Sequence, residues 1–93
     1  MATTDYRPAA PLPILMRFED DAGDPITDMA FQIRISVNGA CVVVNGVLSG
    51  DTFSFDLSGL SLSPRLYAVT VYSNDGTGWA FNQHLNLNVI GGC

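Results

Sequence analysis

The sequence contains no lysine, and only 14% of its residues are charged. A soluble domain usually carries about 25% charged residues, and lysine is a common means of keeping sheet edges from pairing with other chains. The scarcity of charge therefore predicts that partner chains cover much of the surface. The alternative is a small monomer that its formal net charge of -5 keeps in solution.

Positive charge is scarce too, with four arginines against nine Asp and Glu residues. Nucleic acid is not an expected partner, because binding it requires a cationic surface that displaces counterions from phosphates. No apolar run approaches the length of a membrane span, so no membrane partner is expected either. Prolines, Asp5 and Arg7 interrupt the first twenty residues, which do not resemble a signal peptide.

Residue types that carry chemistry are few: one histidine, His84, and two cysteines, Cys41 and Cys93. Catalytic triads and metal sites need their side chains in recognisable combinations and spacings, which are absent here. We therefore predict no catalytic, cofactor-binding or metal-binding residue and no enzymatic activity. A disulfide between the cysteines is not expected, because the chain has no evident secretory signal.

Alternation of apolar and polar residues is the dominant pattern, and no segment has a helical stripe. Strands are predicted at residues 14–19, 30–37, 41–44, 47–48, 52–57, 66–72 and 79–90. In the last of these, Trp79, Phe81, Leu85, Leu87 and Val89 are predicted to face inward, with Gln83 as the one interruption. Short strands separated by turn signals predict an all-β sandwich of about seven strands.

Two Asn-Gly pairs and one acidic loop are the main turn signals. Asn38-Gly39 predicts a β-hairpin, because both residues accept a positive φ. The second pair, Asn45-Gly46, is compatible with a sandwich corner or with a small protruding hairpin. The loop at residues 20–28 has the composition of a structural turn, although its carboxylates could also bind calcium.

Residues 1–13 contain three prolines and no periodicity, which predicts an extended N-terminal arm outside the folded domain at residues 14–90. The arm either is a frayed terminus or docks on a neighbouring subunit, with Tyr6 and Arg7 as anchors. Its deletion is expected to leave the fold intact. Residues 91–93 are predicted to form a flexible tail.

Residues 57–72 combine a turn with the start of a strand. Pro64 cannot donate to a strand ladder, so the strand must begin after it. Tyr67 follows, and its ring is predicted to be buried while its hydroxyl bonds to the backbone a few residues upstream. This segment resembles the tyrosine corner of fibronectin type III and other immunoglobulin-like sandwiches.

A wider resemblance includes three segments in the same order: FEDDAGDPI at residues 18–26, FSFDL at 53–57 and LYAVTV at 66–71. Together they resemble small immunoglobulin-like modules of tailed-phage virion proteins, such as the N-terminal domain of phage baseplate upper proteins. The resemblance implies a non-enzymatic structural protein of the virion, either a tail or baseplate component or a head decoration, assembled in the host cytoplasm.

The same resemblance implies a homo-oligomer that docks on other virion proteins through its arm and sheet edges. The predicted protein-interaction residues are Tyr6, Arg7, Arg34, Tyr72, Asn82, His84 and Asn86, and the predicted structural residues are Pro64 and Tyr67. The alternative is a carbohydrate- or calcium-binding adhesion module. Asn82, His84, Asn86 and Asn88 share an outward face that suits sugar hydroxyls, with Tyr72 or Trp79 for stacking, but Trp79 is predicted to face inward.

Overall fold

A computed structural model describes residues 2–91, which form eight β-strands and no helix. The strands are β1 (Ala2–Tyr6), β2 (Ile14–Met16), β3 (Ala30–Val37), β4 (Ala40–Asn45), β5 (Val47–Ser49), β6 (Thr52–Phe55), β7 (Leu66–Asn74) and β8 (Trp79–Val89). The larger sheet has five strands in the order β1-β8-β7-β3-β4, and the smaller has three in the order β2-β6-β5. The predicted all-β fold with two sheets is confirmed.

The core lies between the two sheets, because alternate residues of each strand point inward. Phe18 stacks on Phe31 with ring centroids 3.8 Å apart, and Phe53 meets the Phe31 ring edge-on at 4.8 Å. The other buried apolar residues are Tyr6, Ile14, Ile33, Ile35, Phe55, Leu57, Tyr67, Val69, Val71, Leu85, Leu87 and Val89. No apolar helix of membrane-spanning length occurs among residues 2–91.

The two Asn-Gly pairs have different structures. Asn38 and Gly39 have φ values of 51° and 81° and connect β3 to β4, which confirms the predicted hairpin. At Asn45-Gly46 the chain leaves the larger sheet after β4 and enters the smaller sheet as β5. Of the two structures compatible with this pair, the corner is the one that forms. The Gly46 N–H donates to the carbonyl oxygen of Phe31 at 2.9 Å, which holds the corner against β3.

Gly46→Ala is expected to lower the free energy of unfolding. A Cβ atom at Gly46 would lie 2.9 Å from Cε1 of Phe55 and 3.2 Å from the carbonyl oxygen of Phe31. Such overpacking lowers the free energy of unfolding by about 1–3 kcal/mol, because the neighbouring atoms must shift. Gly59→Ala is the matched control, because a Cβ there would have no neighbour within 4 Å. Urea denaturation of both variants measures the difference, and equal midpoints would contradict the tight corner.

The N-terminal boundary of the domain differs from the prediction. Residues 2–6 are not a free arm, because they form β1, which pairs in parallel with β8 at the edge of the larger sheet. Tyr6 is buried with 4% of its surface exposed, and its carbonyl oxygen accepts a bond from the N–H of Ile90 at 2.9 Å. The segment is too short for its alternation to stand out in the sequence. The described part of the chain therefore has eight strands, and one strand pair in it is parallel.

The inward orientation predicted for Trp79 and Phe81 is wrong. They are 40% and 55% exposed, because a β-bulge interrupts the pairing of β7 with β8. Val71 pairs with Gln83, but the next residue, Tyr72, pairs with Phe81. Asn82 is the extra residue of the bulge, and one extra residue exchanges the faces of everything that precedes it in the strand.

The hydrogen bond predicted for Tyr67 is present at the start of β7. Its hydroxyl accepts a bond from the N–H of Ser63 at 3.0 Å and contacts the Ser63 carbonyl oxygen at 3.2 Å. Pro64 lies against Gly91, so the turn also contacts the end of the described chain. Gly92 and Cys93, which belong to the predicted tail and to the cysteine pair, lie outside the described residues.

Candidate interaction surface

A cluster of exposed and half-buried aromatic and basic side chains lies on the outer face of the larger sheet. Its members, called the aromatic face below, are Arg34, Tyr72, Trp79, Phe81 and His84. The ladder brings them together across three neighbouring strands. Tyr72 of β7 pairs with Phe81 of β8, and Thr70 pairs with His84 of β8 on one side and with Arg34 of β3 on the other.

Arg34 is fixed in place by two contacts. The central carbon of its guanidinium lies 3.8 Å from the centroid of the Tyr72 ring, which is the geometry of a cation–π interaction. Its Nε donates to Oε1 of Gln32 at 2.8 Å, and Gln32 is itself buried. Because both contacts hold the guanidinium, the Arg34 side chain has already lost part of its conformational entropy before a partner binds.

His84 and Phe81 form the second half of the aromatic face. Their ring centroids are 4.7 Å apart at an interplanar angle of 53°. Nδ1 of His84 lies 3.5 Å from the hydroxyl oxygen of Thr70, and the imidazole is exposed. Trp79 pairs with Asn74 at the end of the strand, so its indole extends the apolar part of the surface.

The charges of the chain are distributed unevenly around this surface. Strands β3, β4, β7 and β8 contain no acidic residue, although the chain has nine. Except for Asp5 in β1, the carboxylates lie outside the strands. Hydrogen bonds from Ser58 and from Thr77 lower the pKa values of Asp56 and Asp75 below the ordinary value, as expected for turn-stabilising carboxylates. The aromatic face is therefore an apolar, weakly basic area on an acidic protein.

The predicted interaction residues fall into separate groups. Arg34, Tyr72 and His84 meet on the aromatic face. Asn86 lies on the same sheet face, between Thr3 of β1 and Ala68 of β7, whereas Asn82 is the bulge residue.

Tyr6 and Arg7 do not belong to the aromatic face. The ring of Tyr6 is buried, which corrects its role as an exposed anchor, and both residues line a depression beyond the opposite end of β8, together with Asp5, Ala10 and Leu12.

Trp79 and Phe81 are the surface residues that the sequence pattern missed. Strict alternation from Leu85, Leu87 and Val89 places them inward. The signal that could have found them is Gln83, a polar residue at a position that strict alternation assigns to the core. A polar residue there indicates a bulge, which is the usual cause of such a change of face.

The acidic loop at residues 20–28 has the structure of a turn. Oδ1 of Asp20 accepts bonds from the N–H groups of Ala22 and Asp24 at 2.9 and 3.0 Å. This is the backbone-capping role typical of Asp in turns. Within residues 2–91, no three His, Cys, Asp or Glu side chains are grouped as metal ligands would be.

Comparison with protein-family models, curated proteins and solved structures found no match to this chain. Among the surfaces of the described residues, the aromatic face is the candidate for a binding role. It combines the largest exposed aromatic side chains with a preformed cation.

Proposed function

We propose that the two sheets form an immunoglobulin-like sandwich. In such folds one sheet contains strands C, F and G and the other contains A, B, E and D. The order β8-β7-β3 corresponds to G-F-C, and the order β2-β6-β5 corresponds to B-E-D. Tyr67 supports the assignment, since the tyrosine corner lies near the start of strand F and bonds to the backbone upstream.

The function we propose is that of a non-enzymatic structural protein of a tailed-phage virion, which docks on other virion proteins through the aromatic face. The observation that carries the docking role is the exposure of Trp79 and Phe81 beside the Arg34–Tyr72 pair. The virion setting follows from the resemblance in residues 18–26, 53–57 and 66–71.

The composition of the aromatic face matches the energetic centre of a protein interface. Tryptophan, tyrosine and arginine are the residue types most enriched at such centres, and charged residues other than arginine are depleted. Burial of an exposed aromatic side chain contributes roughly 1.5–3 kcal/mol. Strands β3, β7 and β8 contribute no carboxylate to this face, and Asp75 lies in the turn between β7 and β8.

The structure of the N-terminal segment changes the docking role proposed for the arm. Residues 2–6 pair within the larger sheet, and residues 7–13, with Arg7, connect β1 to β2 of the smaller sheet. The proposal therefore assigns docking chiefly to the aromatic face and secondarily to Arg7 and the sheet edges. The edges of the sheets would then mediate the assembly of several copies of the chain.

The test is incorporation of the chain into phage particles. Particles purified from cells that express the wild-type chain should contain it, and the double variant Trp79→Ala, Phe81→Ala should be lost from them while it stays folded. Leu15→Ala is the control, because Leu15 is 65% exposed but belongs to the smaller sheet. Absence of the wild-type chain from particles would overturn the virion role, and retention of the double variant would overturn docking through this face.

Carbohydrate binding is the second candidate, and the exposure of Trp79 favours it. The objection that this ring faces the core no longer holds, since Trp79 and Phe81 lie on the outer face and Trp79 pairs with Asn74. Aromatic rings beside amide groups suit the faces and hydroxyls of sugars. A glycan array distinguishes the two functions: a sugar signal that Trp79→Ala abolishes would favour the adhesion module over virion docking.

A further inference from the structure

Strand β4 leaves an unprotected edge on the larger sheet. Among residues 2–91 it pairs with β3 on one side and has no partner strand on the other. Natural edge strands usually carry a charge, a proline or a bulge that prevents pairing with another chain. The sequence of β4, ACVVVN, has none of the three, and its pairing with β3 is regular. The opposite edge is different, because β1 carries Asp5 and is followed closely by Pro8.

The hairpin fixes which backbone groups point away from the sheet. In a two-residue turn the flanking residues, here Val37 and Ala40, are joined by a hydrogen bond. Hydrogen-bonded and non-bonded pairs then alternate along the ladder. Val42 and Val44 therefore bond to β3, whereas the N–H and C=O groups of Cys41, Val43 and Asn45 face outward. These three residues are symmetric about Val43.

We propose that β4 pairs antiparallel with β4 of a second copy of this chain, about a twofold axis at Val43. In this register Val43 exchanges both backbone bonds with its counterpart, and Cys41 pairs with Asn45 of the other copy. Every outward backbone group then has a partner. A twofold interface requires a surface that is complementary to itself, and an antiparallel strand edge centred on one residue meets that requirement.

The surroundings of the edge favour a second copy over a charged partner. Residues 35–50, which include β4 and β5, contain no charged residue. The charge that lies closest in the ladder is Arg34, which pairs with Val43 and is one strand behind the twofold axis in each copy. Two copies that each carry a net charge of -5 can therefore meet here without a carboxylate on either paired strand. The side chain of Val43 is 47% exposed, and it adds apolar area at the paired backbones.

Sedimentation of the full chain with Val43→Lys tests the interface. The wild-type chain is expected to sediment as a dimer at micromolar concentration, and Val43→Lys to weaken the dimer at least about tenfold, because it places a charge at the twofold axis. Thr3→Lys is the control, since it adds the same charge at the opposite edge. A monomeric wild-type chain, or a dimer that Val43→Lys leaves intact, would overturn the proposal. Circular dichroism and thermal melting verify that each variant is folded.

Cross-linking tests the register. In a chain with Cys41→Ser and Cys93→Ser, a cysteine introduced by Val43→Cys should be linked to its counterpart by a short thiol-reactive reagent, since paired Cα atoms are about 5.5 Å apart. Thr3→Cys in the same background should not be linked. Efficient linking at both positions or at neither would contradict the twofold pairing at Val43.

The inference rests on the proposed function only for the role of the dimer in assembly. Its failure is distinguishable from that of the proposed function, because Val43→Lys is scored by dimer dissociation and the Trp79→Ala, Phe81→Ala variant by loss from particles.

Discussion

Phe31→Ala is expected to lower the free energy of unfolding by about 3–5 kcal/mol, the usual cost of removing a buried phenylalanine ring. Phe31 is 1% exposed and stacks on Phe18, so its removal leaves a cavity between the two sheets and takes away one partner of the aromatic cluster. Small domains are stable by about 5–15 kcal/mol. The variant should therefore lose much of its stability, which urea denaturation of the purified protein measures.

Phe81→Ala is the matched control, because it makes the same chemical change on a ring that is 55% exposed. Surface substitutions usually change stability by no more than about 0.5 kcal/mol, so a small effect is expected. The comparison also tests the bulge at Asn82. If Phe81 faced the core, as strict alternation predicts, the two variants would lose similar amounts of stability. That outcome would contradict the orientation of the aromatic face.

The contrast between these two phenylalanines explains how far sequence reasoning could reach. The alternation around Phe31 is regular, and the hydrophobic pattern alone determines which way its strand faces. In β8 the same reasoning holds for Leu85, Leu87 and Val89, but it fails beyond Asn82 because a bulge changes the face. A bulge depends on the partner strand, and the alternation of one strand carries no direct information about it.

The candidate site was predictable to a similar extent. The alternation within each strand predicts that Arg34, Tyr72 and His84 face outward, and they meet on the outer face of the larger sheet. Their proximity depends on the strand order β8-β7-β3 and on its register, which no local pattern encodes. Trp79 and Phe81 complete the surface only because of the bulge. The burial of Tyr6 was missed for a related reason, since β1 pairs with the distant strand β8 and has too few residues for a clear alternation.

Deletion of residues 1–6 is expected to destabilise the fold by at least about 3 kcal/mol. It removes the burial of Tyr6, worth roughly 1.5–3 kcal/mol, and the ladder between β1 and β8, worth about 0.5–1.5 kcal/mol for each bond. If residues 1–6 were a free arm, their deletion would not change the stability of the fold. Thermal melting of the truncated chain decides between the two. Tyr6→Ala in the full chain should cause part of the loss and Thr3→Ala almost none, because Thr3 is exposed on the same strand.

The pH dependence gives an independent check on the position of Tyr6. Burial, and secondarily the charge of Asp56, raise the pKa of its hydroxyl above the ordinary value of 10.0. The unfolded chain then releases this proton at a lower pH than the folded chain does, so the contribution is intact below about pH 10 and declines as the pH rises further. Tyr6→Phe should remove this part of the alkaline loss. Identical declines in the wild-type chain and the variant would show that the phenol has the same pKa in the folded and unfolded chain, which would contradict the burial of its hydroxyl.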